Sequence, residues 1–407
     1  MFSSAVSELL HTVQDAGFAC VIVGGAVRDA LRGVRPGDYD LACSASTAQL
    51  LALLPDAEPT GGEYGTVTIT CGGVRCEITP FRAEESYTDG RHPDSVRFGV
   101  GLEEDLARRD FTVNAMAWDG QTLTDLYGGQ EDLRKKRIRT VGAPERRFTE
   151  DGLRIARALR FASTLDFSLD PEVLCAALHC RDRLQAVSLP RLRAELQGAV
   201  LGKAPQAMDS FLAAGGLRRL GLFPPQTQSC AVDAAPENFS ADGVPAFTLA
   251  PLAKIPCRML LRWWGFLTLL GADKRYFCTR MGFAEHFYRD LVQLDAWFAA
   301  PADRITLKRR AAGRLPVSME ELLDAFCALD NRFEENRQQW AQITAAGEPC
   351  TMEQLAITGR DLLALGLRGP AVGARMKLLL EAVLAEPQLN TPTTLIALST
   401  ALDGLGK

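Results

Sequence analysis

Apolar runs alternate with short polar, glycine-containing stretches over roughly the first third of the chain. Residues 21–23 form a β-branched apolar run that predicts a buried strand. Two further strand-like runs, residues 64–70 and 74–81, are separated by Gly72 and Gly73, so they predict a β-hairpin. This part of the chain is therefore expected to contain a sheet.

A glycine pair follows the first predicted strand. Gly24 and Gly25 end the apolar run and allow the backbone to come close to a bound group. Residues 26–32 then have a helical pattern, and Gly33 is placed to end that helix in the left-handed conformation. The sequence thus predicts a strand, a tight turn and a helix, in which the turn amides and the helix N-terminus face phosphates.

Asp38 and Asp40 flank Tyr39 at the start of the next apolar run. Because side chains alternate along a strand, both carboxylates are expected on one face and the tyrosine on the other. Carboxylates on one face repel unless a cation lies between them, and Mg²⁺ takes one or two protein carboxylates plus water and substrate phosphates. The alternative, that the aspartates only cap a turn, is disfavoured by the glycine pair upstream. Glu77 is either a third carboxylate of this site or a solvent-facing strand residue.

Two polar segments precede the helical half of the chain. Residues 82–97 are rich in turn-forming residues and predict a mobile loop, a place where function is often located, although an ordinary surface loop is the alternative. Arg108, Arg109 and Asp110 follow at a predicted helix–strand junction. Guanidinium groups there can hold a triphosphate, although a solvated helix end has the same pattern.

Helical patterns dominate from Pro171 onward, and a helical pattern just before that point carries a stripe of charge. A helix beginning at Thr149 places an acid and three arginines on one face: Asp151, Arg154, Arg157 and Arg160. Acids in a first helical turn offset the helix dipole, but that effect does not explain the arginines. Residues 131–160 carry ten basic and five acidic side chains, and this segment is the predicted phosphate-facing surface.

The overall composition restricts the classes of function. The formal charge is -5, so a nucleic-acid site must be a local patch. Eleven cysteines without a CxxC pair, together with only four histidines, indicate neither a disulfide framework nor a zinc site. The most apolar run, residues 259–270, contains Arg262 and is too short to span a bilayer. No signal peptide is recognised, so a cytoplasmic protein that needs no membrane is expected.

Five segments resemble, in order and spacing, the class II tRNA nucleotidyltransferase and bacterial poly(A) polymerase family, and most of all its bacterial CCA-adding members. The segments are GGAVRD (24–29), DYD (38–40), RRDFTVNA (108–115), DLYGGQEDL (125–133) and EDGLRIAR (150–157). The resemblance covers about the first 200 residues, with a weaker match at 357–361.

The resemblance implies an α+β fold with four parts. A polymerase β-like nucleotidyltransferase head with a mixed sheet is expected over residues 1–143. An all-α neck that recognises the nucleotide base follows over 144–223, then a helical body over 224–345 and a helical, tRNA-binding tail over 346–407. Several prolines between residues 221 and 251 are in keeping with a boundary there.

The resemblance also implies roles for the site residues. Asp38 and Asp40 are expected to be catalytic and to bind Mg²⁺, and Asp151 with Arg154 to read the incoming base. A carboxylate accepts from the amino group of cytosine or adenine, whereas uracil and guanine present a carbonyl there. The full predicted nucleotide-binding set is Gly25, Arg28, Arg109, Asp110, Asn114, Asp151, Arg154, Arg157 and Arg160. Within it, Arg109 and Asp110 are expected at the triphosphate and ribose, and Arg157 behind the base-reading pair.

The expected activity is template-independent addition of C, C and A to the 3′ end of tRNA from CTP and ATP, with release of pyrophosphate. The loop over residues 89–97 is expected to switch selection from C to A, as in relatives that add all three nucleotides. The alternatives are a CC-only or A-only enzyme, a poly(A) polymerase, a small-molecule nucleotidyltransferase and a non-catalytic RNA-binding module. No obligatory protein partner is indicated.

Three residues depart from the family pattern. Tyr39 replaces an aliphatic residue between the two aspartates, and it is expected to face away from the metal. Gly152 weakens the expected helix start, and Pro190 stands where the family often has glutamate, which affects neck contacts more than chemistry.

Overall fold

The structure is a computed structural model that describes residues 2–60, 62–85, 95–217, 220–222, 248–313 and 315–404. Its contacts divide the chain into two units, Met1–Ala250 with Leu269–Gly282, and Pro251–Thr268 with Phe283–Lys407. The finer division into head, neck, body and tail stays a prediction.

Within the described residues, the strands are β1 (Cys20–Val23), β2 (Tyr39–Cys43), β3 (Glu58–Pro59), β4 (Val67–Cys71), β5 (Val74–Pro80), β6 (Arg82–Glu85), β7 (Ser95–Phe98), β8 (Met116–Trp118), β9 (Leu123–Asp125), β10 (Arg137–Ile138) and β11 (Ser168–Leu169). Seven of them form one sheet in the order β3-β4-β5-β2-β1-β8-β9. The β2–β5 pair is parallel and the other pairs are antiparallel, so the sheet is mixed.

The helices described before residue 248 are α1 (Ser4–Asp15), α2 (Gly25–Leu31), α3 (Thr47–Leu53), α4 (Leu102–Ala107), α5 (Gly129–Arg134), α6 (Pro144–Glu150), α7 (Leu153–Leu165), α8 (Pro171–His179), α9 (Leu189–Val200) and α10 (Asp209–Ala213). Those described after it are α11 (Ala250–Lys254), α12 (Met259–Leu269), α13 (Lys274–Met281), α14 (Glu285–Phe298), α15 (Arg304–Ala311), α16 (Met319–Leu329), α17 (Glu334–Ala345), α18 (Gly359–Ala364), α19 (Pro370–Ala385) and α20 (Pro392–Gly404). Short 3-10 turns connect several of them.

Residue alternation along the central strands separates the chemistry from the main core of the sheet. Tyr39 and Leu41 pack with α1 on one face, and Tyr39 is 2% exposed with its ring against Phe2. Ala42 and its neighbours pack on the opposite face, which Asp40 shares by the period of two. The prediction that Tyr39 faces away from Asp40 is therefore confirmed, whereas Asp38, expected on the same strand, lies in the bend just before β2.

The predicted strand–turn–helix is present with small shifts in its bounds. Helix α2 begins directly at Gly25, after Gly24 adopts a φ of 72°. Gly33 has a φ of 73° just beyond the helix end, as the left-handed cap requires. The predicted hairpin is also present, as β4 and β5 joined through Gly72 and Gly73, which both have positive φ.

The prediction of a loop throughout residues 82–97 is wrong at both ends. Strands β6 and β7 pair antiparallel, with Arg82 opposite Phe98 and Glu85 opposite Ser95. The Arg82 guanidinium also lies over the Tyr64 ring, 4.3 Å from its centroid, so the base of the hairpin is held by packing as well as by the ladder. The tip of the predicted loop, residues 86–94, lies outside the described residues.

The prediction of a helix beginning at Thr149 is also wrong. Helix α6 ends at Glu150, Asp151 is extended, and α7 begins at Leu153. The Asp151 carboxylate accepts the Leu153 N–H at 2.9 Å, which caps the new helix. Glu150 is therefore the last residue of α6 and does not lie in the first turn of a helix. Its negative charge cannot offset the positive N-terminal end of a helix dipole in the way considered above.

Gly152 follows the break and lies against the chain near Arg183. A Cβ at position 152 would lie 2.4 Å from the Arg183 carbonyl oxygen, closer than real side chains approach. The glycine that departs from the family pattern is thus required by packing rather than by helix propensity.

Helices α7 and α9 pack closely, and the contact again depends on glycines that leave no room for a side chain. A Cβ at Gly198 would lie 2.5 Å from Cδ of Arg160, and one at Gly202 would lie 2.1 Å from Oγ of Ser163. Pro190 lies in the first turn of α9, where its missing N–H is not needed, as predicted. This contact sets the position of the arginine stripe on α7.

The second unit is helical and has an aromatic core. The rings of Trp264, Phe298, Phe326 and Phe333 contact one another with centroids about 5 Å apart, and the Trp264 indole donates to Asp295. Ser318 and Glu321 form the predicted capping box of α16. In the part of the chain that the structure describes, no helix has the length and apolar character needed to cross a membrane.

We predict that Gly152→Ala destabilises the protein by about 1 to 3 kcal/mol, the usual cost of overpacking a filled position. The added methyl group must displace the backbone near Arg183. Gly37→Ala is the matched control, because a Cβ there meets open space and the backbone φ is not positive, so its effect should stay within about 0.5 kcal/mol. Urea unfolding of both variants measures the difference, and equal midpoints would contradict the packing argument.

Candidate active site

A polar cleft of about 600 Å³ opens on the face of the sheet that carries Asp40. Its walls come from the glycine turn, the start of β2, the segment after α4, and helices α7 and α9. The lining residues are Gly24, Gly25, Arg28, Asp38, Asp40, Glu84, Arg108, Arg109, Asp110, Asn114, Asp151, Leu153, Arg154, Arg157, Arg160, Phe161 and Arg191. Every predicted site residue is among them, so the structure brings the whole predicted set together.

The two aspartates lie beside the glycine turn. A Cβ on Gly24 would be 3.5 Å from an Asp40 carboxylate oxygen and 3.4 Å from a terminal nitrogen of Arg109. Burial raises the pKa of Asp40; Arg109 opposes this shift, and the charges of Glu77 and Asp38 add to it. The two aspartates therefore repel each other in the absence of a cation. Their carboxylates supply the hard oxygen donors that a divalent cation takes.

Glu77 lies opposite Asp40 in the parallel β2–β5 pair but does not line the cleft. Its carboxylate accepts from Arg75 at 2.7 Å, and 40% of its side chain is exposed. Among the described residues, no group of three or more acidic, histidine or cysteine side chains is placed to hold a metal ion. Of the two alternatives left by the sequence, these contacts favour the solvent-facing strand residue.

A buried carboxylate that the sequence analysis missed orients Arg109. Asp105 is fully buried and accepts from Arg108 at 2.7 Å and from Arg109 at 3.0 Å. Burial is the largest single influence and opposes ionisation, but Arg109 and Arg108 together outweigh it and hold the pKa of Asp105 below its usual value. The Nε of Arg109 is buried without a hydrogen-bond partner in the described structure, so it remains a donor for a ligand.

A chain of polar contacts connects α2 to α7 through Asp110. Arg28 donates to the Asn114 carbonyl oxygen at 2.8 Å, and the Asn114 amide donates to Asp110 at 3.3 Å. Arg157 donates to the other oxygen of Asp110 at 2.8 Å. Burial opposes ionisation of Asp110, but Arg157 and these hydrogen bonds outweigh it, so its pKa is lowered. The head segment and the arginine helix are thereby held in one arrangement.

The guanidinium groups of three arginines pack around the ring of Phe161. The carbon of Arg160 lies 4.1 Å from the ring centroid, and those of Arg157 and Arg28 lie 5.4 and 5.5 Å away. Arg160 also donates to Glu195 of α9 at 2.5 Å. The sequence analysis missed Phe161 because an aromatic residue in an apolar helical pattern indicates core packing, not a cleft.

The predicted base-reading pair lies in the same cleft as the two aspartates. Arg154 is 8% exposed and donates to Glu150 at 2.5 Å. One Asp151 oxygen caps α7, and the other accepts from Arg191 at 3.4 Å. Neither side chain points into open solvent, which is the arrangement that base reading requires.

Two other lining residues, Glu84 and Arg191, escaped the sequence analysis. Glu84 accepts from Arg108 at 3.0 Å across 24 residues, and Arg191 reaches Asp151 across 40. No periodic or motif signal connects residues so far apart, so only the folded chain pairs them.

A mixed sheet with two aspartates beside a glycine-containing strand–helix turn, and an arginine-lined cleft above them, defines a nucleotidyltransferase head. The family model of the Poly A polymerase head domain matches residues 20–139. The CCA-adding enzyme of Levilactobacillus brevis is 34% identical over 379 residues, which are 90% of this chain and 89% of that protein. The chain belongs to the CCA-adding enzyme family.

Solved structures agree with this assignment. The Bacillus stearothermophilus CCA-adding enzyme in complex with CTP has a TM-score of 0.74 and 27% identity, covering 98% of this chain and 97% of that one. The Thermotoga maritima CCA-adding enzyme complexed with tRNA shares the fold, with a TM-score of 0.66 and 20% identity, over 98% of this chain and 95% of that one. The predicted family, fold class and enzyme, a CCA tRNA nucleotidyltransferase, are confirmed, and this chemistry uses a divalent metal ion.

We predict that Asp40→Asn removes the stabilisation of the protein by Mg²⁺ at pH 7, because an amide supplies neither the negative charge nor the second acceptor oxygen of the carboxylate. Millimolar Mg²⁺ should raise the unfolding temperature of the unaltered protein and not that of the variant. Asp15→Asn, at the exposed end of α1, is the control and should respond to Mg²⁺ as the unaltered protein does.

Calorimetry with and without the metal measures the response of each protein. An undiminished Mg²⁺ response in Asp40→Asn would contradict the metal-binding role of Asp40.

Proposed function

We propose that this single chain adds C, C and A in turn to the 3′ end of tRNA, reading each base with protein side chains rather than a template. The observation that carries the proposal is that Asp151 and Arg154 line the same cleft as Asp38 and Asp40. A nucleotide whose phosphates lie at the aspartates would thus place its base at the pair at the start of α7. The substrates we assign are CTP, ATP and the tRNA 3′ end, in line with the CTP and tRNA complexes of the related enzymes.

Asp38 and Asp40 are the residues that would hold Mg²⁺. When bound there, the metal lowers the pKa of the primer 3′-hydroxyl and neutralises charge on the triphosphate. The Gly24 and Gly25 amides, at the N-terminus of α2, face the same cleft and suit phosphate oxygens. The hydroxyl attacks the α-phosphorus in line, and pyrophosphate leaves.

Arg109 is the proposed triphosphate ligand. Asp105 holds its terminal nitrogen, so the guanidinium plane is set before the nucleotide arrives. Its buried Nε has no partner in the described structure and would donate to a phosphate oxygen. Preorganised donors of this kind need no reordering during the reaction, which is the basis of electrostatic catalysis.

Asp151 and Arg154 are the proposed readers of the base. An ionised carboxylate only accepts, so it suits the amino group of cytosine or adenine, and a guanidinium only donates, so it suits the adjacent ring nitrogen. Uracil and guanine reverse that pattern and would leave both protein groups unpaired. Sites built to hydrogen-bond a substrate reject the wrong partner by about 10⁴-fold or more for this reason.

The remaining cleft residues are proposed to hold this arrangement. Asp110 uses one oxygen for Asn114 and the Phe111 N–H and the other for Arg157, so we assign it to positioning rather than to direct contact with the ribose. Arg28, Arg157 and Arg160 are fixed around Phe161 and would add positive charge facing the substrate. We also propose that the bound metal is Mg²⁺ and that the protein is located in the cytoplasm.

The test uses tRNA that ends at the discriminator base, with CTP, ATP, UTP and GTP offered separately and together. The unaltered chain should extend it by three nucleotides when CTP and ATP are present. Asp40→Ala should lower the rate by about 10³-fold or more, since one preorganised electrostatic group already contributes about 10² to 10³. Glu77→Gln, at the position opposite Asp40, is the matched control and should keep the rate within about threefold, because its neighbour Arg75 is exposed.

Product length on a denaturing gel separates the possible activities. Extension by two nucleotides or by one, or a long A tract, would replace full CCA addition by a partial enzyme or a poly(A) polymerase. Full activity of Asp40→Ala would refute the metal-binding role.

A further inference from the structure

Arg191 lies in the first turn of α9 and reaches across to the base-reading pair. Its Nη2 donates to Oδ2 of Asp151 at 3.4 Å, and its side chain lines the cleft while one-third of it stays exposed. Nothing in the chemistry proposed above uses this residue. It is brought to the cleft by the close packing of α9 on α7.

The Asp151 carboxylate is held from two directions. Its Oδ1 accepts the Leu153 N–H at 2.9 Å, and its Oδ2 faces Arg191. The backbone at this point is fixed as well, because Gly152 lies against the Arg183 carbonyl group. The second oxygen, which would meet the base, therefore has its direction set by Arg191.

That direction decides which bases the carboxylate can accept from. Cytosine and adenine carry their donor on the exocyclic amino group, whereas uracil and guanine carry a donor on the adjacent ring nitrogen. A carboxylate free to turn towards the ring position would accept from N3–H of uracil or N1–H of guanine. A carboxylate held towards the exocyclic position accepts only from cytosine and adenine.

We propose that Arg191 is a positioning residue for base selection, which holds Asp151 towards the exocyclic group of the incoming base. The inference rests on the proposed function, since it requires that Asp151 reads the base. Nη1 of Arg191 is buried without a hydrogen-bond partner in the described structure, so this guanidinium is incompletely satisfied by the protein alone. A buried N–H donor without an acceptor carries a desolvation cost, which a ligand can remove by accepting a hydrogen bond from it.

The experiment compares kcat/KM for CTP and UTP on tRNA that ends at the discriminator base, using the full-length chain. Arg191→Ala should lower the preference for CTP over UTP by about 10- to 100-fold, the range expected for losing one hydrogen bond between charged groups. Arg191→Lys keeps the positive charge but lacks the planar guanidinium group with its several N–H donors. This variant should recover part of the preference for CTP. Arg193→Ala is the control on the same helix, because Arg193 contacts the carbonyl groups of Met281 and Gly282 instead of the cleft.

A double-mutant cycle with Asp151→Ala shows whether Arg191 acts through Asp151. The preference should already be lost in Asp151→Ala, and Arg191→Ala should then cause no further loss. Urea unfolding of each variant confirms that the compared proteins are folded, and Arg191→Gln replaces Arg191→Ala if that variant unfolds.

The possible failures are distinguishable. If Asp151→Ala keeps the CTP preference, base reading by Asp151 is wrong and the proposed function itself must change. If Asp151→Ala loses the preference but Arg191→Ala keeps it, only the role of Arg191 is overturned. An equal loss of kcat/KM for CTP and UTP in Arg191→Ala would also overturn it, because that result belongs to a phosphate contact.

Discussion

The ion pair between Asp110 and Arg157 is the interaction on which the geometry of the cleft depends. The nitrogen and oxygen atoms are 2.6 Å apart, and they join the segment after α4 to the arginine helix α7. Both side chains are partly buried, so the cost of removing charge from water offsets part of their attraction, and the value of the pair is in the geometry that it imposes. The distance from the two aspartates to the groups on α7 is set by this contact and by the Arg28–Asn114 hydrogen bond beside it.

The cleft shows how an acidic chain can present a positive site. Most of its arginines have a carboxylate partner within the same unit: Arg28 with Asp29, Arg109 with Asp105, Arg154 with Glu150, Arg157 with Asp110, and Arg160 with Glu195. Each partner neutralises part of the charge and also restricts the rotamers of a long side chain. The substrate then meets guanidinium groups that are already oriented, so little conformational entropy remains to be lost on binding.

Asp40 shows the opposite balance. Desolvation and the neighbouring carboxylates Glu77 and Asp38 raise its pKa, so a cation bound beside it would favour the ionised form. Glycine allows this arrangement, because a side chain at position 24 would contact both the Asp40 carboxylate and Arg109. The contrast between Asp40 and Asp105 is informative: both are carboxylates near Arg109, yet only Asp105 has enough partners to lower its pKa.

The sequence by itself determined the features that depend on local periodicity. The period of two along β2 placed Tyr39 opposite Asp40, and the glycine pair marked the turn beside Asp40. The spacing of three placed Arg154, Arg157 and Arg160 on one face, and that face does line the cleft.

Only the tertiary structure decided where α7 begins and which groups hold the site residues. Helix α6 ends at Glu150 and Asp151 caps α7, while Gly152 between them packs against Arg183, 31 positions further along the chain. Arg191 and Glu84 reached the cleft through contacts between segments that are distant in the chain. Such contacts leave no periodic trace in a single sequence, because they depend on how helices and strands pack, which is settled only when the whole core forms.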